Sequence, residues 1–400
     1  MEYISVKEAA ARWKISERMV QSYCAKGRIE GARKFGGSWE IPSVCKKPGN
    51  LHRQKEISGK QMQQEGADER YGLMPLMNSA FEPGKCREFI EKLEQGPEKQ
   101  IAWAEYYYFS GQAEKAVKTA RPYLESSETG VRLSACLISA YASLTLGRID
   151  QVRDTLGNFN RMLGKVSPEN SPSLCAAQAF VASTAAVLLH LPLPEHLPDV
   201  RDCFLMLPPG LRVFALYVRA HHLYLQKAYE KSLGIVEATL ALQENVYPIP
   251  VIYLHLAAVM DYMSLRQPEQ AREHLLAAWK LARPDDLIEG FGEHHGLLGG
   301  MLEAVIKKEW PEDFRRIISI TYRFSAGWRK IHNPDTGHDV ADNLTTTEFA
   351  IAMLAARGWT NQEIGEHMNI TPNTVKSFVS SILQKLGIRT RKELKQFMLR

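Results

Sequence analysis

The sequence lacks the features that mark membrane, secreted and metal-binding proteins. No apolar run approaches the roughly 20 residues that a membrane-spanning helix needs, and the N-terminal stretch MEYISVKEAA has no charged-then-apolar signal pattern. The six cysteines, at positions 24, 45, 86, 136, 175 and 203, stand singly without a C-x-x-C or a nearby His. We therefore expect a cytoplasmic protein with reduced thiols, no metal site and no membrane contact.

Motifs for nucleotide binding and catalysis are also missing. Residues 289–302, EGFGEHHGLLGGML, are rich in Gly but contain no G-x-x-x-x-G-K-[ST]. The stretch from Gly157 to Lys165 comes nearest, but its spacing is wrong and Val166 follows where Ser or Thr would have to bind magnesium. No nucleophile, base and orienting group stand at a useful spacing. We expect no enzymatic activity and no cofactor.

Charge is unevenly distributed along the chain, whose formal net charge is +5. Residues 1–48 contain 10 Lys/Arg and 5 Asp/Glu, residues 344–400 contain 8 and 4, and the segment between them contains 32 and 36. Two basic ends around a mildly acidic centre suit a chain that meets phosphates at both ends. Ordinary solvated surface charge would explain the uneven distribution equally well. Sequence motifs are therefore needed to choose between the two interpretations.

Residues 371–387, TPNTVKSFVSSILQKLG, have the pattern of a helix that lies in a DNA groove. Thr371 is a good N-cap, Pro372 suits the first helical position, and Gly387 can end the helix. One face is an apolar stripe of Val375, Val379, Ile382 and Leu386. The opposite face is polar and free of acids, and consists of Asn373, Lys376, Ser377, Ser380 and Gln384. The pattern predicts a helix that packs by one face and reads a ligand with the other.

Two shorter helices precede this one. The first covers residues 344–357 and ends at Gly358, and the second is capped by Thr360. A two-residue turn at 369–370 leads directly into the groove helix. The order of these elements predicts a helix-turn-helix.

The segment strongly resembles the DNA-binding domain of LuxR-type transcriptional regulators, over about 55 residues without a gap. The residues at the family's spacing are Leu344, Glu348, Gly358, Asn361, Glu363, Ile364, Thr374, Val375, Lys376, Ile382, Lys385, Leu386 and Arg391. The resemblance implies a four-helix domain that binds double-stranded DNA as a homodimer. We expect residues 391–399, with Leu394, Phe397 and Met398 apolar, to be the dimer interface.

The same resemblance assigns roles on the DNA. It implies base-edge contacts by Lys376, Ser377 and Ser380. It implies phosphate contacts by Thr371, Thr374, Lys385 and Arg391, and the polar face adds Asn373 and Gln384 to the candidate set. Phe378 stands where the family usually has His, so no contact is carried over to that position.

Residues 2–44 indicate a second, smaller DNA-binding unit. A helix from Val6 to Trp13 is followed by one that Ser16 caps, and Gly36-Gly37 marks a two-stranded hairpin. The segment resembles the MerR-like winged helix-turn-helix of excisionase-type proteins. Its candidate groove residues are Arg18, Met19, Gln21 and Ser22, and its candidate wing contacts are Arg33 and Lys34. Because such domains sometimes only contact proteins, docking remains an alternative.

Residues 81–330 are almost entirely helical in pattern, with recurring tight turns at Gly111, Gly147, Lys227 and Gln267. The turns are 36 residues apart in the first pair and 40 in the second, and a degenerate copy at 186–207 fits between the pairs. Paired helices at this period resemble tetratricopeptide (TPR) repeats, which stack into a solenoid. We expect an unknown peptide, protein or small-molecule effector to bind there.

Aromatic and histidine clusters in this region favour packing over ligand binding. The residues concerned are Tyr106, Tyr107, Tyr108, Phe109, His221 and His222. Because Tyr217, His221 and Tyr224 share one helix face, a ligand pocket lined by these residues remains an alternative to packing. The pair at 294–295 is expected in a loop.

The predicted fold is mainly α. A winged helix-turn-helix occupies 1–45, a linker 46–80, the TPR-like domain 81–330, a second linker 331–343 and the LuxR-type domain 344–400. The predicted function is a DNA-binding transcriptional regulator with a sensing or docking middle. The alternative is a TPR-like interaction scaffold recruited to DNA, with the N-terminal unit serving only for docking.

Overall fold

The chain divides into two compact units, Met1–Arg70 and Tyr71–Arg400. The computed structural model describes residues 3–13, 15–25, 29, 31–35, 37–43, 45, 72–163, 172–188, 203–332 and 344–395. Helices dominate these residues, in agreement with the predicted mainly α class. The predicted linker segments 46–71 and 333–343 lie outside the described residues.

The N-terminal unit combines two helices with a small sheet. Its elements are β1 (Tyr3–Ser5), α1 (Val6–Trp13), α2 (Glu17–Ala25), β2 (Arg33–Phe35) and β3 (Ser38–Pro42). The antiparallel pairing of β2 with β3 confirms the predicted hairpin. β1 was not predicted, and it forms because Tyr3 to Ser5 pair with the far edge of β3, giving the order β1-β3-β2.

The second unit begins with a series of helices. They are α3 (Cys86–Lys92), α4 (Pro97–Phe109), α5 (Ala113–Ala120), α6 (Thr129–Thr145), α7 (Ile149–Leu163), α8 (Pro172–Leu188), α9 (Pro209–Leu225), α10 (Tyr229–Leu242), α11 (Pro248–Ser264) and α12 (Pro268–Ala282). Short 3₁₀ turns lie at Arg121–Tyr123, Phe204–Met206 and Arg283–Asp285. Four helical hairpins result, α4/α5, α6/α7, α9/α10 and α11/α12, and α8 packs between α6 and α9. Part of the degenerate copy predicted at 186–207 lies outside the described residues.

The turns inside the hairpins share one geometry. Each has a left-handed residue, with φ of 75° at Gly111, 68° at Gly147, 61° at Lys227 and 62° at Arg266. The next amide donates to a carbonyl five residues earlier, as Gln112 does to Tyr107 at 2.8 Å. This is a Schellman ending, which leaves two helices antiparallel across a tight turn. Three predicted turn positions are confirmed, and the fourth lies one residue before Gln267.

The predicted first linker extends too far. Residues 72–80 pack into the helical core, where Leu73, Met74, Leu76 and Met77 are buried. The carboxylate of Glu105 accepts hydrogen bonds from the amides of Leu76 and Met77, both at 2.9 Å. Burial raises the pKa of Glu105 to about 8. The segment is ordered by these contacts with distant residues, which its own sequence does not reveal.

A compact group of shorter elements and one long helix follows the helical hairpins. These are α13 (Glu289–Glu293), a π-helical turn (Leu302–Ile306), α14 (Lys307–Glu309) and α15 (Pro311–His332). The pair at 294–295 lies in the predicted irregular segment but is buried. His294 contacts the Tyr217 hydroxyl at 2.8 Å, and His295 contacts Glu303 at 2.8 Å.

The aromatic clusters pack in the core, as predicted. Tyr106, Tyr108, Phe109 and His221 are buried, whereas Tyr107 and His222 are partly exposed. No helix among the described residues is long and apolar enough to span a membrane.

The C-terminal region folds into α16 (Thr346–Ala356), α17 (Asn361–Met368), α18 (Pro372–Lys385) and a 3₁₀ turn (Arg391–Glu393). These correspond to the helices predicted from the sequence, although the first is shorter. The predicted interface residue Leu394 is fully buried in the core. Phe397 and Met398 lie outside the described residues. Leu394 therefore stabilises the domain internally and is not available to a second copy.

Candidate nucleic-acid interface

α18 has the ends and the buried stripe that the sequence predicts. The Thr371 hydroxyl accepts a hydrogen bond from the Thr374 amide at 3.1 Å, and Gly387 has a φ of 63°. The buried residues of the stripe are Val375, Val379, Ile382 and Leu386. Packing of this stripe against the rest of the domain fixes the orientation of α18. The opposite face of the helix therefore points outward in a defined position.

The outward face of α18 is polar and accessible. Its exposed residues are Asn373, Lys376, Ser377, Ser380 and Gln384, together with Thr371 and Thr374 at the start of the helix. The Ser377 hydroxyl donates to the Asn373 carbonyl at 3.1 Å and the Ser380 hydroxyl to the Lys376 carbonyl at 3.0 Å. Each hydroxyl oxygen can still accept a hydrogen bond. Base-edge and phosphate contacts by this face stay predictions.

Lys385 and Arg391, expected to approach phosphates, bind groups within the domain. Lys385 Nζ lies 2.8 and 2.7 Å from the two carboxylate oxygens of Glu348, which also accepts from Ser381 at 3.0 Å. Arg391 donates to Asn361 Oδ1 at 2.5 Å and to the Trp359 carbonyl. Lys385 thus connects the end of α18 to α16, and Arg391 connects the 3₁₀ turn to the start of α17 and the loop before it. A DNA phosphate could bind Lys385 or Arg391 only in addition to these internal partners or in competition with them.

Glu348 is the centre of this internal network. It is 4% exposed and completes a capping box with Thr345, whose amide donates to it at 2.8 Å. Burial raises the pKa of Glu348, but the hydrogen bonds from Lys385, Thr345 and Ser381 outweigh burial and leave the pKa below its usual value. The ionised form therefore connects the start of α16 to the end of α18.

The turn between α17 and α18 depends on close backbone approach. Asn369 has a φ of 55°, and the Ile370 amide donates to the Gly365 carbonyl at 2.9 Å. A Cβ at position 365 would lie 2.7 Å from the carbonyl oxygen of Ile370. Glycine is needed here because a side chain would force α17 and α18 apart.

α16 is buried on all sides, since residues 350–356 are buried without interruption. One side packs on α18. The other side meets the Gly-rich segment 296–300, which lacks a phosphate-binding motif but brings its backbone close to the C-terminal domain. A Cβ at Gly296 would lie 2.5 Å from Cε1 of Phe349, and one at Gly300 would lie 2.7 Å from Sδ of Met368. We call this contact the seam.

Hydrogen bonds complete the seam. Arg357 Nη2 donates to the Tyr224 hydroxyl at 2.9 Å and to the Leu297 carbonyl at 3.0 Å. His367 Nε2 lies 3.1 Å from the Gly299 carbonyl, and Arg266 donates to the Gly358 carbonyl. The seam was not predicted from the sequence. Seven consecutive apolar residues at 350–356, more than a one-sided helix needs, were the available signal.

The N-terminal candidates lie on exposed or partly exposed surface. Arg18, Gln21 and Lys34 are exposed, Met19 is 39% exposed and Ser22 is partly buried. Arg33 forms an ion pair with Glu40 at 3.0 Å and its guanidinium stacks 4.1 Å from the centre of the Tyr3 ring. All six candidates are therefore at least partly accessible, and Arg33, although exposed, is already paired with Glu40 on the sheet. Their DNA contacts stay predictions.

The C-terminal segment is therefore a helix-turn-helix with an exposed, acid-free third helix. Residues 342–398 match the GerE family, described as bacterial regulatory proteins, luxR family. This confirms a LuxR-type domain at the C-terminus. In the described residues, no three His, Cys, Asp or Glu side chains are grouped to hold a metal ion.

Individual relatives are similar over the same part of the chain. The response regulator protein VraR of Staphylococcus aureus (strain NCTC 8325 / PS 47) is 43% identical over 53 residues, 13% of this chain and 25% of the relative. The VraR proteins of Staphylococcus epidermidis and Staphylococcus saprophyticus match with the same identity and coverage. The chain thus spans a quarter of the length of these curated relatives. No solved structure matches the chain.

Proposed function

We propose that this chain is a transcriptional regulator that binds double-stranded DNA in a sequence-specific manner through its C-terminal domain. The observation that carries the proposal is the exposed face of α18, where Lys376, Ser377 and Ser380 stand without an acidic neighbour on a rigidly packed helix. Acid-free polar surface suits a major groove lined by phosphates and hydrogen-bonding base edges. DNA binding of this kind needs neither catalysis by the protein nor a cofactor.

The test is selection of DNA sites by the full-length protein from a random library, followed by genome-wide mapping of bound DNA. A double variant, Lys376→Ala with Ser380→Ala, serves as the control because it changes only exposed side chains. We expect the full-length protein to recover one motif, found again at promoters, and the double variant to lose it. Recovery of the same motif by both proteins would contradict reading by α18.

In this proposal the repeats are a TPR-like solenoid that senses a signal or binds a partner. The support is the series of hairpins with one turn geometry, at Gly111, Gly147, Lys227 and Arg266. The seam supports coupling, because the first helix of the DNA-binding domain packs directly against the end of the repeats. A ligand that changes the packing of the repeats can thereby change the position or stability of the DNA-binding domain.

The N-terminal unit is proposed as a second DNA contact of the MerR-like, winged type. Its support is the pairing of two helices with a β2–β3 hairpin and the accessible side chains of Arg18 and Lys34. We further propose that the protein acts in the cytoplasm, at the nucleoid, and binds a symmetric site as a homodimer, as implied for LuxR-type domains.

The second candidate function is an interaction scaffold in which the repeats bind a protein and the N-terminal unit only docks. The support is the series of helical hairpins, since stacked helix pairs form extended surfaces that can bind proteins. A full-length protein that pulls a specific partner onto DNA but selects no motif itself would favour the scaffold.

A further inference from the structure

The interior of the helical region contains a carboxylate that forms no ion pair with the described residues. Glu293, at the end of α13, accepts hydrogen bonds from the hydroxyls of Tyr108 and, at 2.8 Å, Tyr253. One turn earlier, Glu289 is fully buried and accepts from Thr145 at 3.1 Å. An unpaired carboxylate in apolar surroundings is costly unless it is protonated or receives a positive charge. Among the described residues Glu293 forms no ion pair, and the cation Arg323 favours the ionised form of the neighbouring Glu289 without an ion pair to it.

Beside Glu293 lies a cavity of about 30 Å³. Its walls come from helices far apart in the sequence, and those that the argument uses are Tyr108, Tyr141, Thr184, Phe214, Tyr253 and Glu293. The described lining residues include no Lys, Arg or His. Glu293 keeps some accessible surface although its surroundings are buried. It is the only charged group among these described walls.

A second, independent feature of the same cavity is an unsatisfied hydroxyl. Thr184 is 2% exposed, and its Oγ1 finds no hydrogen-bond partner among the described residues. The backbone carbonyl of Thr184 is already engaged, since it accepts from the Tyr141 hydroxyl at 3.2 Å. Buried hydroxyls are nearly always hydrogen-bonded, so this one points to a missing partner.

We propose that this cavity binds the ammonium group of a primary amine, a ligand class that specifies the sensing role proposed above. A primary ammonium carries three donors, which match the acceptors of Glu293 and Thr184. The rings of Tyr108, Tyr253 and Phe214 surround it with aromatic surface that attracts cations. The cavity's volume of about 30 Å³ exceeds the roughly 10–15 Å³ that one water-sized group needs, so a primary ammonium group fits, and a bulkier trimethylammonium group fits less well.

A neighbouring cavity defines the rest of the ligand. It measures about 70 Å³ and shares Thr184 as a wall. Its other walls include the apolar Phe180, Val187, Leu207 and Val218, and also Arg219 and His222, which favour an uncharged end of the ligand on this side. Because this space is mostly apolar, it suits a short alkyl chain attached to the amine. The ligand is therefore a small alkylamine, with its charge at Glu293 and its chain beyond Thr184.

The test uses the full-length protein without DNA, so that its result is independent of DNA binding. Calorimetry measures binding of n-butylammonium chloride at millimolar concentration, with 1-butanol as the uncharged probe of similar shape and tetramethylammonium as the oversized cation. We expect binding of n-butylammonium alone. Binding should release a proton, because burial raises the pKa of Glu293 and the ammonium ion favours its ionised form. Titrations in buffers of different ionisation enthalpy measure that release.

Variants decide which residues form the site. Glu293→Gln should weaken binding of n-butylammonium about ten-fold or more and abolish proton release. Thr184→Val keeps the Glu293 carboxylate and the volume of the side chain, and it should weaken binding of n-butylammonium several-fold. This variant tests the site if Glu293→Gln fails to fold. Glu237→Gln is the matched control, since Glu237 also accepts from a tyrosine, Tyr262, but at an exposed position away from the cavity.

Three results would overturn the inference. These are no binding of n-butylammonium, equal binding of 1-butanol, or unchanged affinity in both Glu293→Gln and Thr184→Val. In each case Glu293 would act as a neutral structural acid that accepts from its two tyrosines. DNA binding by the same preparation would show that the proposed regulator function stands while the amine site fails.

Discussion

The ring of Phe349 on α16 packs directly onto the backbone of Gly296, where a Cβ would lie 2.5 Å from the ring's Cε1 atom. This contact belongs to the seam that joins the LuxR-type domain to the segment after the helical hairpins. The seam covers α16 and leaves the polar face of α18 exposed. We infer that the preceding helical region holds the LuxR-type domain in position rather than covering the polar face of α18.

Gly296→Ala should open the seam, because the added Cβ displaces Phe349. Overpacking of this kind costs about 1–3 kcal/mol. Hydrogen exchange of the full-length protein should rise in residues 296–301 and 346–358 while the remaining helices stay protected. Gly157→Ala is the matched control, since a Cβ at position 157 meets no atom within 4 Å. Equal exchange in the two variants would mean that the contact contributes nothing.

Lys376→Ala and Ser380→Ala should weaken binding to the preferred DNA site more than binding to random DNA. A base-edge contact is worth about 1–3 kcal/mol of discrimination, and both side chains are exposed, so the fold should persist. Fluorescence anisotropy on both DNAs at fixed salt measures the difference. Lys280→Ala, an exposed lysine in the last turn of α12, is the control for loss of charge alone. A uniform loss on both DNAs would assign Lys376 to phosphate instead.

The pair of Glu348 and Lys385 should make stability depend on pH in the acidic range. The pKa of Glu348 lies below its ordinary value of 4.5 in the folded protein. The unfolded chain therefore takes up the proton first, and the stabilisation is present above 4.5 and is lost as the pH falls through the folded-state pKa. Glu348→Gln should lose about 1.5–3 kcal/mol at neutral pH and flatten this dependence.

Urea unfolding at neutral and acidic pH, followed by circular dichroism, measures the effect of Glu348→Gln. Glu366→Gln is the control because Glu366 is an exposed carboxylate on α17. If the variant at position 348 kept the wild-type pH dependence, the hydrogen bonds from Lys385 and Ser381 would not be what stabilises the ionised form.

Deleting residues 1–48 should weaken binding to a long promoter fragment and leave binding to a minimal C-terminal site nearly unchanged. With the N-terminal unit as the proposed second DNA contact, binding of one unit gives the other a high effective concentration on the same DNA. The deletion should also reduce the salt dependence on the long fragment, by about 0.9 in logarithmic slope for each phosphate that the N-terminal unit neutralises in the full-length protein. Titrations at several salt concentrations measure both quantities. Identical slopes would favour a purely docking role for the N-terminal unit.

Local features of the fold were predictable because they depend on neighbouring residues. The N-caps Thr360 and Thr371 bond amides three positions away, and Gly358 and Gly387 end their helices with positive φ. The buried stripe of α18 follows from helical spacing in the same way. The sequence also determined the hairpin turns, since left-handed residues recur at nearly the predicted positions.

Tertiary structure decided what brings distant residues together. Glu348 meets Lys385 across 37 positions, and Arg357 meets Tyr224 across 133. The cavity at Glu293 takes walls from six helices and the segment at 72–80, and the burial of that segment depends on a carboxylate at position 105. Spacing within a helix specifies which face is apolar, but not which surface covers it. That choice depends on the shape and charge of elements far away in the chain, which only the folded arrangement supplies.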